Sequence, residues 1–290
     1  MQSSWLFYSI CATLLFGFGS TLYKVPSAKG HNRYATGIWS VLTSCIISGI
    51  ILLFIAPESI VEHATPMLLS LTAVWGVVLA CMNLLQIYCL SHLETNTHYP
   101  VSTSGSLIST IVIGLFLFDD RISNLQWLGI GLVIITIYLF VYHKGGAAKY
   151  TPRLLAAIGS LMLLGATSKI ILKIAVDAGL HIPTFQTFQY FFAFCVAILI
   201  YAFVHRKNIR KELFSGIHVG TLIGCASVAG NTFYMHALAL GPFQLVNAVH
   251  SLYIIATAYF GAMLFKEQLT KKKIGLLILA VLSIIIVRVG

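Results

Sequence analysis

The motif LFDDRIS at residues 117–123 returns half a chain later as LFKEQLT at residues 264–270. Each copy contains an apolar pair, an acid, an apolar residue and a hydroxyl residue, and a long apolar stretch follows it. Asn83 and Asn231 repeat at nearly the same spacing, as do Lys24 and Lys173. These matches predict an internal duplication, with a first half at 1–146 and a second half at 147–290.

The composition indicates a membrane protein. Hydrophobic residues make up 58% of the 290 residues and charged residues only 9%, whereas a soluble domain is about half apolar and about a quarter charged. A helix needs roughly 20 apolar residues to cross the hydrocarbon core, and in lipid such a stretch must be helical to satisfy its backbone polar groups. We predict ten spans, at 5–23, 34–56, 67–90, 98–118, 125–142, 153–176, 184–204, 217–240, 242–265 and 271–289.

Each half contains five predicted spans, which is an odd number. The second half must therefore enter the membrane from the opposite side, so the two halves would be inverted copies. Inverted repeats are a common architecture of secondary transporters, whose solute sites lie between the repeats near the middle of the bilayer. The predicted fold is an all-α membrane protein in which ten transmembrane helices form two inverted five-helix repeats around a central cavity.

Polar side chains are costly in lipid and therefore mark the helix faces that point inward. Eight of the predicted spans carry hydroxyl, amide or lysine side chains at helical spacing. In the fifth and tenth spans, Thr136 and Ser283 are the only polar groups in mid-span. We predict four cavity-lining helices from each half, with the fifth and tenth outside, facing lipid or a second copy in a homodimer. Gly17, Gly165 and Gly230 are predicted to allow close helix approach or hinging.

The candidate solute-binding residues are lysines, amides, tyrosines and a histidine near the predicted pathway. No Asp or Glu lies in the middle of a predicted span, and a buried cation needs an anionic partner or must lose its proton. A positive cavity favours an anionic or zwitterionic solute, whose acidic group would pair with lysine while the amides orient its polar groups. The predicted binding residues are Lys24, Asn83, Gln86, Lys169, Lys173, Gln189, Asn231, Tyr234, Asn247, His250 and Tyr253.

Other interpretations of these groups stay open. Lys24 lies near a span end and can equally extend to the lipid headgroups. If transport is coupled to protons, a histidine would have to titrate; otherwise the protein is a facilitator. His98 and His236 are interpreted as hydrogen-bonded residues near span ends. Asp120 and Glu267 are predicted to interact with the positive N-terminal ends of the fifth and tenth helices, which is a capping role rather than a catalytic one. 

The net charge of +10 is predicted to set orientation rather than to bind nucleic acid, because most basic residues lie in loops or at span ends and only Lys169 and Lys173 lie deeper inside a span. Positive residues accumulate on the cytoplasmic side, which places the loops at 143–153, 205–216 and 266–273 inside and both termini outside. All six cysteines fall within apolar spans without metal-ligand spacing, so we predict no disulfide, no metal site and no cofactor. The expected partners are a small-molecule solute and the lipid bilayer.

The arrangement resembles the drug/metabolite transporter superfamily, and its ten-helix EamA-type branch in particular. The resemblance is carried by Phe16-Gly17-Phe18-Gly19 through Lys24 and by the paired motifs at 117–123 and 264–270. Asp120 departs from the commoner Glu of this pattern, and Pro100 lies earlier in its span than the usual mid-helix proline. The resemblance implies an inverted-repeat transporter of small metabolites, often amino acids or their relatives, with peripheral fifth and tenth helices. It also implies cytoplasmic termini, opposite to the charge-based orientation.

The sequence therefore predicts a secondary transporter of the cytoplasmic membrane that moves a small polar metabolite, anionic or zwitterionic and amino-acid-like, by alternating access. A membrane-embedded enzyme is the first alternative, but the chain shows no H-E-x-x-H, no G-x-S-x-G and no spaced Cys/His set, and no catalytic residue is predicted. A non-transporting scaffold has no use for polar faces on eight helices. A channel would differ in its conductance, which would far exceed carrier turnover.

Overall fold

The computed structural model describes residues 4–55, 63–118, 123–143, 151–204, 212–241, 246 and 249–289, and these residues are almost entirely helical, with no strand among them. The helices are α1 (Ser4–Leu22), α2 (Val25–Lys29), α3 (Arg33–Ile55), α4 (Pro66–His92), α5 (Thr95–Phe118), α6 (Asn124–His143), α7 (Pro152–Asp177), α8 (Ile182–Val204), α9 (Ile217–Leu240), α10 (Tyr253–Phe265) and α11 (Lys271–Val289).

Nine of the ten long helices begin and end within a few residues of a predicted span. The ninth predicted span differs, because α10 begins only at Tyr253 and a turn at residue 252 precedes it. By length and composition, five described helices can cross a bilayer: Ser4–Lys29, Arg33–Ile55, Pro66–His92, Pro152–Asp177 and Ile182–Val204. The apolar stretch Val249–Phe265 is shorter.

Local sequence explains where α4 and α7 begin. The hydroxyl oxygens of Thr65 and Thr151 accept hydrogen bonds of 3.2 Å from the backbone N–H groups of Leu68 and Leu154. A proline follows each threonine at the first helical position, where a backbone donor is not needed. A hydroxyl cap followed by proline therefore sets the same starting geometry for both helices.

Eight helices form a closed ring in which neighbouring helices always come from opposite halves of the chain. The order around the ring is α1, α9, α3, α8, α4, α7, α5, α10 and back to α1. The set of neighbours stays the same when each helix is exchanged with its counterpart in the other half: α1 with α7, α3 with α8, α4 with α9 and α5 with α10. Outside this ring, α6 packs against α11 and α5. The two halves thus interlock along the whole ring instead of forming separate bundles.

Small residues allow some ring neighbours to approach closely. At Gly17 of α1 an added Cβ would overlap with Ala256 of α10, and at Gly165 of α7 it would lie 2.8 Å from Oγ of Ser106 in α5. Gly17 and Gly165 occupy corresponding positions in the two halves, so a close approach between equivalent helices occurs twice. Their predicted role in helix approach is confirmed, and at Gly230 an added Cβ would lie 3.2 Å from the Phe16 ring.

The outer surface of the ring is strongly apolar. Phe54 is 86% exposed, Phe203 71% and Leu199 68%. Soluble monomers rarely expose contiguous apolar surface on this scale. In a membrane, by contrast, the hydrocarbon chains cover such side chains, so this surface is that of a multi-pass membrane protein.

Candidate functional site

A cavity of about 220 Å³ lies within the ring of eight helices. Its lining comes from α1, α4, α5, α7, α8, α9 and α10, together with Tyr23 after α1 and residues 250–251 before α10. Pockets for drug-sized ligands usually measure about 300–1,000 Å³. The cavity is therefore of a size that fits a small metabolite.

No described residue of α6 or α11 lines the cavity, as predicted for the fifth and tenth spans. The prediction that α3 lines the cavity is wrong, because the polar face of α3 packs against α9. Ser44 Oγ donates to the carbonyl oxygens of Ser40 at 2.9 Å and Gly224 at 3.2 Å. An added Cβ at Gly224 would lie only 2.8 Å from Cβ of Thr43. These hydroxyl residues serve helix packing, a common use of small polar residues in membranes.

One side of the lining is aromatic and centres on His250. This ring stacks on Tyr253 with centroids 5.4 Å apart and 22° between the planes. The Tyr234 and Phe16 rings lie 4.6 Å and 4.9 Å from it. The Tyr253 hydroxyl shares a hydrogen bond of 2.6 Å with Thr103 Oγ1 on α5. These contacts fix the rings in place, and the cluster forms a largely apolar surface against which a flat group can pack.

The positive charge of the cavity lies on Lys169 of α7. Its Nζ donates to Ser106 Oγ on α5 at 3.3 Å. Gly165, one turn earlier on α7, allows the close approach to the same serine. The described lining residues include no other Lys or Arg and no Asp or Glu. The electrostatic field inside the cavity therefore favours an anion.

Amide side chains complete the polar lining on α4 and α9. Asn83 Oδ1 accepts a hydrogen bond of 2.7 Å from the Tyr23 hydroxyl, and Gln86 Nε2 donates to the Tyr99 hydroxyl at 2.8 Å. Nδ2 of Asn231 is buried without a hydrogen-bond partner. The Asn231 side chain also lies within hydrogen-bond distance of the Tyr190 side chain, so the two form a polar part of the cavity wall.

His98 on α5 is a lining residue that the sequence analysis did not select. It is 1% exposed, and neither ring nitrogen has a hydrogen-bond partner. The interpretation of His98 as a hydrogen-bonded residue near a span end is therefore wrong. His236, for which the same was predicted, does form such a bond, through Nδ1 to the Thr232 carbonyl at 2.8 Å. No feature of the sequence distinguishes these two histidines, because only packing shows which one faces the cavity.

Three of the predicted binding residues that the structure describes are not part of this lining: Lys24, Lys173 and Gln189. Lys173 Nζ lies 3.1 Å from Oδ2 of Asp177 on the same helix. Gln189 is fully buried on α8, and Asn247 lies outside the described residues. The other seven predicted residues line the cavity together.

Lys24 forms an ion pair with Glu267, in the turn between α10 and α11. The same carboxylate accepts hydrogen bonds from Thr95 N at 2.9 Å, Thr95 Oγ1 at 2.6 Å and Asn96 N at 3.2 Å. Glu267 thus caps α5, and the prediction that it caps the following helix, α11, is wrong. Burial alone would raise the pKa of this carboxyl, but the hydrogen bonds from Lys24 and Thr95 and the Lys24 charge lower its pKa below the ordinary 4.5.

Comparison with known proteins agrees with this architecture. The model of the EamA-like transporter family matches residues 3–142 and 153–289. A solved structure, described only as the crystal structure of a protein, has a TM-score of 0.69 at 12% identity over 99% of this chain and 98% of that chain. At this identity the likeness concerns the fold alone. No curated protein matches by sequence. Because the family match extends over nearly all of both halves, the chain belongs to the EamA-like transporter family.

Proposed function

We propose that the protein is a secondary transporter of the cytoplasmic membrane that carries a small anionic or zwitterionic metabolite by alternating access. The observation behind this proposal is the cavity, which combines Lys169 with an aromatic wall inside a ring of two interchangeable halves. We propose further that the solute has two parts, an acidic group and an apolar or aromatic body.

Lys169 supports an acidic group on the solute. A charge-assisted hydrogen bond between an ammonium and a carboxylate is stronger than a neutral one, and the absence of Asp and Glu from the lining leaves a cationic solute without a partner. The side chains of Asn231 and His98 are buried beside the cavity, and they add polar groups to its wall. The expected solute is therefore amino-acid-like or a simple carboxylate.

The aromatic wall supports an apolar or aromatic body. The rings of Phe16, Tyr234, His250 and Tyr253 lie within 4.6 to 6.4 Å of one another where they pair. Rings held in this way lose little conformational entropy when a flat group packs on them, and each aromatic pair adds about 0.5–1.5 kcal/mol. An aliphatic chain of the same charge should bind less tightly.

Two features support alternating access. Exchanging the halves leaves the order of ring neighbours unchanged, and five spans in each half, an odd number, would make the copies inverted. Two inverted halves can exchange conformations, and this exchange opens the cavity first to one side and then to the other. We propose that α6 and α11, outside the ring, face lipid or the same helices of a second copy.

Transport by the purified protein in proteoliposomes tests the function. We expect counterflow of 3-phenylpropionate and phenylalanine, slower flux of hexanoate, and none of phenethylamine, which lacks the carboxylate. Absence of flux for every compound with well-folded protein would contradict the transporter assignment, and phenethylamine flux equal to that of 3-phenylpropionate would contradict the preference for an acid. Chemical conversion of a compound would indicate the enzyme alternative, and conductance far above carrier turnover would indicate a channel.

A further inference from the structure

Residues from both halves of the chain meet in a buried charge network at one end of the bundle. Lys24 follows α1 in the first half, and Glu267 follows α10 in the second. Lys24 Nζ donates to Glu267 Oε1, and the two side chains are 17% and 3% exposed. The Lys24 ammonium also lies 5.4 Å from the centroid of the Phe265 ring. This ion pair therefore joins the two halves where water has little access.

The same carboxylate holds the beginning of α5. It accepts three hydrogen bonds from Thr95 and Asn96, through two backbone N–H groups and one hydroxyl. A negative charge at this position also interacts favourably with the positive end of the helix. One buried carboxylate thus connects the end of α1, the beginning of α5 and the turn between α10 and α11.

Close packing and a second ion pair reinforce these connections. At Gly261 of α10 an added Cβ would overlap with Thr95 Oγ1, so the helix backbone lies directly against the cap. Lys273 Nζ of α11 lies 2.6 Å from Oε2 of Glu94, the residue before α5. This second pair also crosses from one half to the other.

The network lies next to one end of the cavity. Tyr23, adjacent to Lys24, lines the cavity, as do Ser20 and Gln86. Between them, the Tyr99 hydroxyl of α5 accepts from Gln86 Nε2 at 2.8 Å and donates to the Ser20 carbonyl oxygen. Separation of α5 from α1 at this end would break the Tyr99 contacts and the Glu267 contacts together.

The corresponding lysine of the second half is arranged differently. Lys173 occupies the position equivalent to Lys24, but its ion pair with Asp177 lies within α7, and the two side chains are 35% and 63% exposed. An exposed pair within one helix contributes little and does not join the halves. Asp120, the residue equivalent to Glu267, lies outside the described residues.

We propose that Lys24, Glu267, Thr95 and Asn96 form an inter-half latch, which closes the cavity on the Lys24 side and separates when solute passes there. This inference rests on the proposed transport function. When α1, α5 and the α10–α11 turn separate from one another, the carboxylate loses Lys24 and its three α5 donors together, so the latch opens as one unit. The second pair, Lys273 with Glu94, opens with it.

Cysteine labelling from one side of the membrane tests the latch. In a variant without the six native thiols, Ser20→Cys reports access to the cavity, and Ser27→Cys, in an exposed position, identifies the vesicle orientation that presents the Lys24 side. An impermeant maleimide is added on that side. We expect it to label Ser20→Cys at least about ten-fold faster when Glu267→Gln or Lys24→Gln is also present than in their absence, which is equivalent to about 1.4 kcal/mol. Glu94→Gln should give a smaller increase, and Asp177→Asn none.

Lys24→Arg distinguishes the latch from general damage, because it keeps the charge and should keep slow labelling. If Glu267→Gln does not fold, the comparison of Lys24→Gln with Lys24→Arg decides alone, since Lys24 takes no part in the cap. Equal labelling rates in wild type and well-folded Lys24→Gln would overturn the latch. Flux of the cysteine-free parent, in which the latch is intact, separates the two proposals. Transport by the parent with unchanged labelling in the variants refutes the latch only, and faster labelling in the variants with no flux of any solute by the parent supports the latch but refutes the transport function.

Discussion

Replacing Lys169 by methionine removes the positive charge from the cavity lining and keeps a long, flexible side chain. Lys169 is the only Lys or Arg among the lining residues that the structure describes. Its Nζ already donates to Ser106 Oγ at 3.3 Å, so a bound carboxylate adds to an existing contact and finds the ammonium in place. The variant should therefore lose affinity for acids without a change in the shape of the site.

The expected size of the loss follows from the single charged hydrogen bond. Hydrogen bonds to charged groups contribute roughly 1.5–3 kcal/mol, and each 1.4 kcal/mol corresponds to a ten-fold change in the dissociation constant. We expect 3-phenylpropionate to bind about ten- to one-hundred-fold more weakly to Lys169→Met. Its uncharged amide should bind to the variant and to wild type about equally.

Titration calorimetry in detergent measures the dissociation constants, and proteoliposome counterflow measures transport. Lys169→Arg serves as the charge-preserving control. Lys173→Met serves as the matched lysine control, because Lys173 lies one turn further along α7, outside the lining and 3.1 Å from Asp177; its effect should be less than about two-fold. Equal losses in the two methionine variants, or an unchanged affinity in Lys169→Met, would refute the reasoning.

Three further predictions concern stability. Gly17→Ala should lower the free energy of unfolding by roughly 1–3 kcal/mol, because its Cβ overlaps a neighbouring helix. Gly159→Ala is the control, because nothing lies within 4 Å of the added Cβ, and this substitution should not lower the melting temperature. Because the pKa of Glu267 is lowered in the folded protein, its ionised form stabilises the fold above about pH 4.5, and this contribution is lost as the pH falls through the lowered pKa. Between about pH 5 and about pH 3, the melting temperature of wild type should therefore fall more than that of Glu267→Gln. Tyr23→Phe leaves Asn83 Oδ1 without its donor at 2.7 Å and should cost about 1–3 kcal/mol, measured by thermal unfolding; an unchanged melting temperature would show that this bond is replaced by another.

The helices could be predicted from the sequence because the bilayer imposes one length and one secondary structure on every apolar stretch. Predicted spans such as 217–240 and 271–289 agree with α9 and α11 to the residue. The fifth and tenth spans could be placed outside the cavity for a related reason, since a helix without mid-span polar groups has nothing to offer a polar interior. For the helix bounds and for the position of these two spans, the local composition is therefore sufficient.

The cavity residues could be predicted only in part. Asn83, Asn231 and Lys169 are costly to bury, so their presence in spans indicates an inward face, and all three line the cavity. The hydroxyl residues of α3 follow the same pattern and instead pack against α9. A serine that binds a solute and a serine that packs against a glycine have the same spacing, so the partner helix distinguishes them.

The sequence by itself determined the duplication, the helices and the sign of the charge near the pathway, because each depends on residue type and spacing along one chain. Only the tertiary structure decided which helices are neighbours, and with them the pairing of Lys24 with Glu267, the capping of α5 by a residue far along the chain, and the position of His98 beside the cavity. These depend on contacts between residues distant in sequence, and the alternation of the two halves around the ring brings those residues together.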